Sequence, residues 1–126
     1  MKVEDLQGLC NIILESDRSI RFVGISDKMG KQIASSYRAE LAPLLTPTEI
    51  EMSAIESVLR MKTRKDFESK LGKPIYTFTI YQKVKRVTVP LESEEYPILM
   101  ALFDVEADHD NIITHKILPL VNELGL

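Results

Sequence analysis

Four carboxylates alternate along D-V-E-A-D-H-D-N: Asp104, Glu106, Asp108 and Asp110. Carboxylate oxygens at that density could bind calcium or magnesium. The stretch lacks the glycine and distal glutamate of an EF-hand loop. Acids at a helix start are also favoured by the helix dipole, with Asp108 or Asp110 as the cap. His109 and His115 lie six residues apart, which places them on different faces of a helix rather than together as metal ligands. Cys10 is the sole cysteine. It falls on an apolar stripe with no base beside it, which suits a buried, inert thiol. No acid–base pair is evident in the sequence. These residue types therefore indicate no catalytic group, no metal and no cofactor, and the chain is read as non-enzymatic.

Residues 24–32, G-I-S-D-K-M-G-K-Q, invite comparison with a phosphate-binding loop. A P-loop has four residues between its glycines, then Lys and Ser or Thr, and opens a helix. Here five residues intervene, Gln32 follows Lys31, and K-Q-I-A-S-S-Y has the pattern of a strand. Asp27 suits the first position of a type I turn and Gly30 the left-handed position after it, so the stretch is a hairpin turn. Gly24, inside a strand, marks a bulge or close packing.

Charge is unevenly spread. Residues 1–59 hold 6 basic and 9 acidic side chains, residues 60–86 hold 9 and 2, and residues 87–126 hold 1 and 8, which gives the overall net charge of -3. Two basic groups stand out, R-M-K-T-R-K at 60–65 and K-V-K-R at 83–86. Part of the first is explained by cations at a helix C-terminus. The remainder makes Arg60, Arg64, Lys83, Lys85 and Arg86 a candidate basic patch for an acidic protein partner or the acidic tail of a neighbouring subunit. Tyr76 and Tyr81 could add stacking faces, but the negative total argues against a nucleic-acid module.

The elements that position these groups are legible from pattern. The chain has 126 residues, 44% hydrophobic and 28% charged, which fits one globular domain over 1–126. No apolar run is long enough to span a membrane, and the first residues lack a signal-peptide pattern. With a single cysteine, this points to the cytoplasm. Leu6, Leu9, Cys10, Ile13 and Leu14 predict a helix over 3–16. Residues 19–26 predict a central strand with Ile20, Phe22 and Gly24 on one face and Val23 and Ile25 on the other. Residues 31–37 are its partner.

L-L-T-P-T-E-I then marks a helix start. Thr46 is the N-cap, Pro47 the first helical residue, Glu49 closes a capping box, and Leu45 and Ile50 form a staple. The helix carries a wide apolar stripe of Ile50, Ala54, Ile55, Val58, Leu59 and Met61, wide enough to cover a sheet on one side and a partner on another. Residues 63–72 suit either helix or strand; as helix, Thr63 would cap a short piece ended by Gly72. Residues 75–82 and 84–91 are strands. On the first, Tyr76, Phe78 and Ile80 share a face; on the second, Val87, Val89 and Leu91 oppose Arg86 and Thr88. Residues 97–105 are apolar on both faces, a buried strand. Residues 108–124 are a helix that Pro119 must kink or end.

The order is α-β-β-α-β-β-β-α, an α+β protein with a five-stranded, mainly antiparallel sheet sandwiched by helices. That order, the hairpin V-G-I-S-D-K-M-G-K-Q-I-A, the long helix from Pro47 and the strand pair before I-L-M-A-L-F-D resemble the roadblock (dynein light chain) fold, a relative of profilin-like and longin-like modules. At a finer level, I-R-F-V-G-I-S-D-K-M-G-K, T-R-K-D-F-E-S-K-L-G, Y-Q-K-V-K-R-V-T-V-P-L and K-I-L-P-L resemble a family of single-domain proteins from ammonia-oxidising archaea, a likeness that implies no activity. The roadblock resemblance implies a homodimer built on residues 47–62 and 75–82, with Met52, Ile55, Val58, Leu59, Tyr76, Phe78 and Ile80 at the interface. It also implies protein partners such as small GTPases and a regulatory or scaffold role without catalysis. The alternative is a small-molecule sensor that binds a ligand against the sheet, lined by Tyr37, Tyr76, Phe78 and Arg86.

Overall fold

A computed structural model describes residues 2–126. In chain order the elements are α1 (Val3–Ser16), β1 (Ile20–Ser26), β2 (Gln32–Tyr37), α2 (Pro47–Lys65), α3 (Glu68–Leu71), β3 (Thr77–Ile80), β4 (Val84–Pro90), β5 (Ile98–Asp104), α4 (His109–Ile112), a π-helical turn (Ile113–Ile117) and α5 (Leu118–Glu123). The five strands form one sheet in the order β2-β1-β5-β4-β3, and every neighbouring pair is antiparallel.

The central strands are buried on both faces because they are apolar on both. Leu99, Ala101 and Phe103 of β5 join Val23, Ile25, Val87 and Val89 in one core with Leu6, Cys10 and Ile13 of α1 and Ile112, Ile113, Ile117 and Val121 of the terminal helical run. Ile98, Met100 and Leu102 point the other way, to Phe22 and to Ile50, Ala54 and Val58 of α2. Burying each large side chain is worth about 1.5–3 kcal/mol, so β5 is the backbone of both cores.

Ile20 departs from the expected alternation. It joins the α1 core with Val23 rather than the face of Phe22. The register against β5 shifts between Ile20 and Phe22, where two β1 steps oppose the single step from Phe103 to Leu102. This β-bulge turns Ile20 to the other face.

The hairpin turn forms as expected. Gly30 has φ +82 and donates to the Asp27 carbonyl (3.1 Å), while Asp27 Oδ1 accepts from the amides of Met29 (2.9 Å) and Lys31 (3.0 Å). A Cβ at Gly30 would press on Ile55 and lie 2.7 Å from the Glu51 carbonyl, so the turn packs directly on α2. At Gly24 a Cβ would overlap Gln32 and Phe22, which is close packing rather than a ligand cradle.

α2 starts at the capping box. Thr46 Oγ1 accepts from the Glu49 amide (3.2 Å), and Glu49 Oε1 accepts from the Thr46 amide (2.9 Å). Leu45 and Ile50 meet in one cluster, as a staple should. Its end lies beyond the expected one. Thr63 is inside α2, donating to the Leu59 carbonyl (3.4 Å), and does not cap a second piece. Residues 68–71 are helix, closed by Gly72 at φ +81. β3 is shorter than residues 75–82.

Asp108 caps the terminal run by accepting from the Asn111 amide (3.5 Å). Pro119 cannot donate, and its ring would strike the carbonyl four residues back in an α-helix. The chain answers with the π-helical turn just ahead of it, where the Leu118 amide reaches back to the Ile113 carbonyl. The end of α1 has no basic residue of its own in its last turn. Arg38 fills the gap, donating to the carbonyls of Leu14 (2.6 Å), Asp17 (2.9 Å) and Ile20 (3.2 Å). Lys116 adds bonds to the Ser16 carbonyl and to Asp17 Oδ2, both 2.9 Å. These satisfy helix-end carbonyls that would otherwise be orphaned.

Hydrogen bonds from the Ser19 hydroxyl, Lys116 and the Ser19 amide lower the Asp17 pKa to about 2. A depressed carboxylate stabilises the fold fully above its unfolded pKa and loses that contribution as pH falls through the folded one. Acid titration of stability between about pH 4 and pH 2 should therefore be shallower in Asp17→Asn than in the parent. Thr46→Ala should cost about 1 kcal/mol in urea unfolding; an unchanged midpoint would remove the capping box from the account of α2.

Candidate functional site

The groups that could do chemistry are held apart by the fold. Asp104 is ion-paired with Arg21 at 2.9 Å and Asp108 is committed as a helix cap. No group of three or more metal-ligating side chains occurs among the described residues. His109 stacks on Phe78 with ring centroids 4.2 Å apart, and its Nδ1 lies 3.1 Å from Lys85 Nζ, while His115 is exposed elsewhere. Cys10 is fully buried, and that desolvation pushes its thiol up to about 12.

What the surface offers is an open strand edge and an apolar helix crest. β3 is an outer strand of the sheet. The Tyr81 amide donates to the Val84 carbonyl (2.8 Å), so in the antiparallel alternation Thr79 and Thr77 bond inward to β4 while Phe78 and Ile80 turn their backbone groups outward. Along the outer surface of α2, Met52 is 64% exposed and Leu59 57%. Phe67, Leu71, Ile75, Ile80 and Tyr81 are further exposed apolar residues on the segment leading into and out of the β3 edge.

The expected interface residues fall into four groups. Met52 and Leu59 lie on the free crest of α2. Ile55 lies toward the hairpin turn at Gly30. Val58 is 4% exposed, packed with Ala54 against Ile98 inside the protomer. A charge at Val58 would therefore test folding rather than association. Tyr76 and Phe78 pack with the α1 core, on the opposite side of the sheet from α2. Phe78 pairs across from Val87 and Ile80 from Lys85, on that same face. Strand alternation thus separates this row from the helix crest, and Thr77 and Thr79 are the β3 residues on the α2 side.

The expected basic patch divides in the same way. Arg86 donates to Ser53 Oγ of α2, and Arg64 to Thr77 Oγ1 at 2.7 Å. Arg60 is paired with Glu56 at 2.5 Å on the α2 surface. Lys85, one residue from Arg86, points to the other face, where its Nζ donates to the Ala107 carbonyl at 2.8 Å. Lys83 is exposed at the β3–β4 turn. The two arginines brace α2 against β3 and β4. Their partners Ser53 and Thr77 carry no sequence signal that would have found them.

Beside α2, over the β3–β4 turn, runs a groove of about 870 Å³. Leu44, Leu45, Met52, Val84 and Leu102 line it with Tyr81, Ser53, Arg86, Lys83, Glu49 and Glu56. Of the lining expected for a sheet-bound ligand, Arg86 alone is here. Tyr37 lies at the β2 end, near a much smaller pocket, and Tyr76 and Phe78 lie on the other face.

No family model and no curated protein matches the chain. Solved structures do. MglB of Myxococcus xanthus superposes with a TM-score of 0.73 at 15% identity, over 98% of this chain and 86% of that one. A Roadblock/LC7 domain from Streptomyces avermitilis gives 0.71 at 11%, over 94% and 93%. The gliding protein MglB of Thermus thermophilus gives 0.70 at 14%, over 96% and 91%. The chain thus has the roadblock fold that its element order suggested, and the archaeal likeness stays an expectation.

Burial of Cys10 makes a labelling prediction. The native protein should not react with a thiol-specific disulfide reagent on the timescale of minutes, and should react stoichiometrically in denaturant. Rapid native labelling would mean that α1 opens easily from the sheet.

Proposed function

We propose that this protein is a non-catalytic regulatory or scaffold module of the cytoplasm. It works as a homodimer through protein contact, with a small GTPase as the class of partner. The observation that carries the dimer is the coincidence, on one border of the molecule, of an unpaired β3 edge and an exposed apolar crest on α2. An exposed edge strand is a template for pairing, and exposed Met52 and Leu59 would be buried by a second copy. In this dimer two β3 strands pair into one continuous sheet, and the two α2 helices lie side by side on its face, each crest toward the other's groove. The roadblock resemblance supports the reading, since it implies pairing through the same two elements.

Light scattering behind size exclusion, at low and high salt, should return twice the mass of one chain at both. Leu59→Glu places a charge on the crest without touching the core, and should give a folded monomer. Ile80→Pro, which removes an outward amide from β3, should weaken the dimer separately. A wild-type protein with the mass of one chain would overturn the homodimer. So would a Leu59→Glu protein that keeps the wild-type mass and stability. For the partner, calorimetry against a small GTPase of the same genome should show binding that depends on whether GTP or GDP is loaded. Equal or absent binding in both states would leave the dimer without this partner class.

A further inference from the structure

The sheet has two outer strands, and the structure treats them differently. On β2 the Arg38 amide donates to the Arg21 carbonyl at 3.0 Å. By ladder alternation, Ser36 and Ala34 then bond inward to β1, while Tyr37 and Ser35 turn their backbone groups outward; at Ile33 the register shifts and the regular ladder ends. At Ser35 the edge is already filled. Gln7 of α1 donates from Nε2 to the Ser35 carbonyl at 2.7 Å, and its Oε1 accepts from the Ser35 amide at 3.2 Å. A primary carboxamide sets an N–H beside a C=O as a peptide does. Gln7 thus makes at Ser35 the pair of bonds that a neighbouring strand would make. The carboxamide is itself held in place. Its Nε2 lies 3.0 Å from Asn11 Oδ1 and 3.1 Å from Ser36 Oγ, and the Ser36 hydroxyl donates to Asn11 Oδ1.

We propose that Gln7 is an edge lock, closing β2 to strand addition by a second copy of this chain and so restricting strand-mediated association to β3. An incoming strand needs consecutive rungs of the ladder. With Ser35 occupied and the register shifted at Ile33, the outward groups of Tyr37 have no next rung beside them. The strand itself, Q-I-A-S-S-Y, carries no proline or charge of the kind that usually blunts an edge. No side chain among the described residues holds the outward groups of Phe78 and Ile80 on β3 in this way. The difference between the edges turns a sheet that could grow from both sides into one that can grow from one, and pairing through one edge gives a closed two-fold assembly rather than a filament. The expected wild-type state rests on the dimer proposed above; the closure of β2 does not.

The test compares wild type with Gln7→Ala by amide hydrogen exchange and by light scattering, each at dilute and concentrated protein. In dilute Gln7→Ala the Ser35 amide should exchange about tenfold faster, the loss expected for one hydrogen bond. Concentrated Gln7→Ala should form assemblies larger than wild type. Gln7→Ala/Ser35→Pro, which removes the outward donor, should return to the wild-type mass. Should Gln7→Ala fail to fold, Gln7→Leu carries the same readouts, because its side chain can neither accept from the Ser35 amide nor donate to the Ser35 carbonyl. An unchanged Ser35 exchange rate overturns the lock. So does an exposed Ser35 with an unchanged mass at every concentration. The two readings fail separately. A monomeric wild type whose Gln7→Ala variant associates defeats the dimer and supports the lock. A dimeric wild type whose variant stays a dimer does the reverse.

Discussion

The sheet must be covered on both faces, because the strands at its centre are apolar on both. β5 sends Leu99, Ala101 and Phe103 to one side and Ile98, Met100 and Leu102 to the other. On the first side the need is met within the chain, by α1 and the terminal helical run lying together. On the second side the chain supplies α2 alone. Five strands at ~4.8 Å spacing make a surface roughly 20 Å across, and one helix with its side chains is about 10–12 Å wide. A single helix therefore leaves a strip of this face bare. The bare strip is the groove over the β3–β4 turn, and α2 shows its own apolar crest beside it. The deficit is a second helix of the same kind, on the same side as the open β3 edge. In the proposed dimer, a second copy related by a two-fold axis would supply both at once.

The closed border of the sheet is built from parts distant in sequence. Gln7 and Ser35 are 28 residues apart, and Lys116 reaches Ser16 across 100. The α1 helix is thus held at three points: by Gln7 to the β2 edge, by Arg38 at its last carbonyls, and by Lys116 from the π-helical turn. Each contact satisfies polar backbone that would otherwise sit unpaired at a partly buried border, where a lost bond is costly. α1 is in this sense both a core helix and a substitute for a sixth strand.

Much of this was legible in the sequence where the signal is local. The capping box at Thr46, the Asp27–Gly30 turn and the doubly apolar β5 are set by residues within a few positions of one another, so pattern finds them. The failures share the opposite cause. Ile20 changes face through a bulge that only its pairing with Phe103 and Leu102 reveals. A stripe as wide as that of α2 shows that the helix has two apolar sides, but the boundary between buried Val58 and exposed Leu59 depends on how the helix is rolled on the sheet. The basic run K-V-K-R looks contiguous in a line of text, yet a strand sends Lys85 and Arg86 to opposite faces. Thr63 has the residue type of a cap, since threonine is favoured at helix starts over interiors, but inside α2 its hydroxyl bonds back to the Leu59 carbonyl instead. Gln7, a single polar residue on a helix, carries no pattern at all.

The β3 edge, although open, is not loose. Phe78 is stacked on His109 at the start of α4, and Lys85, opposite Ile80, is tied to the Ala107 carbonyl and to His109 Nδ1. From the other side Arg64 of α2 holds Thr77, and Arg86 holds Ser53. The strand is thus gripped through both faces while its outer backbone is free. Binding is strengthened when the groups that must be ordered are ordered beforehand, since the entropic cost of fixing them has already been met in the fold. A strand of four residues has few hydrogen bonds to offer a partner. It can pair usefully only if it is presented rigidly and if an apolar contact beside it adds to the ladder. The arginine braces set both conditions together, because the side chains that fix β3 and β4 also fix α2, and with it the position of Met52 and Leu59 relative to the edge.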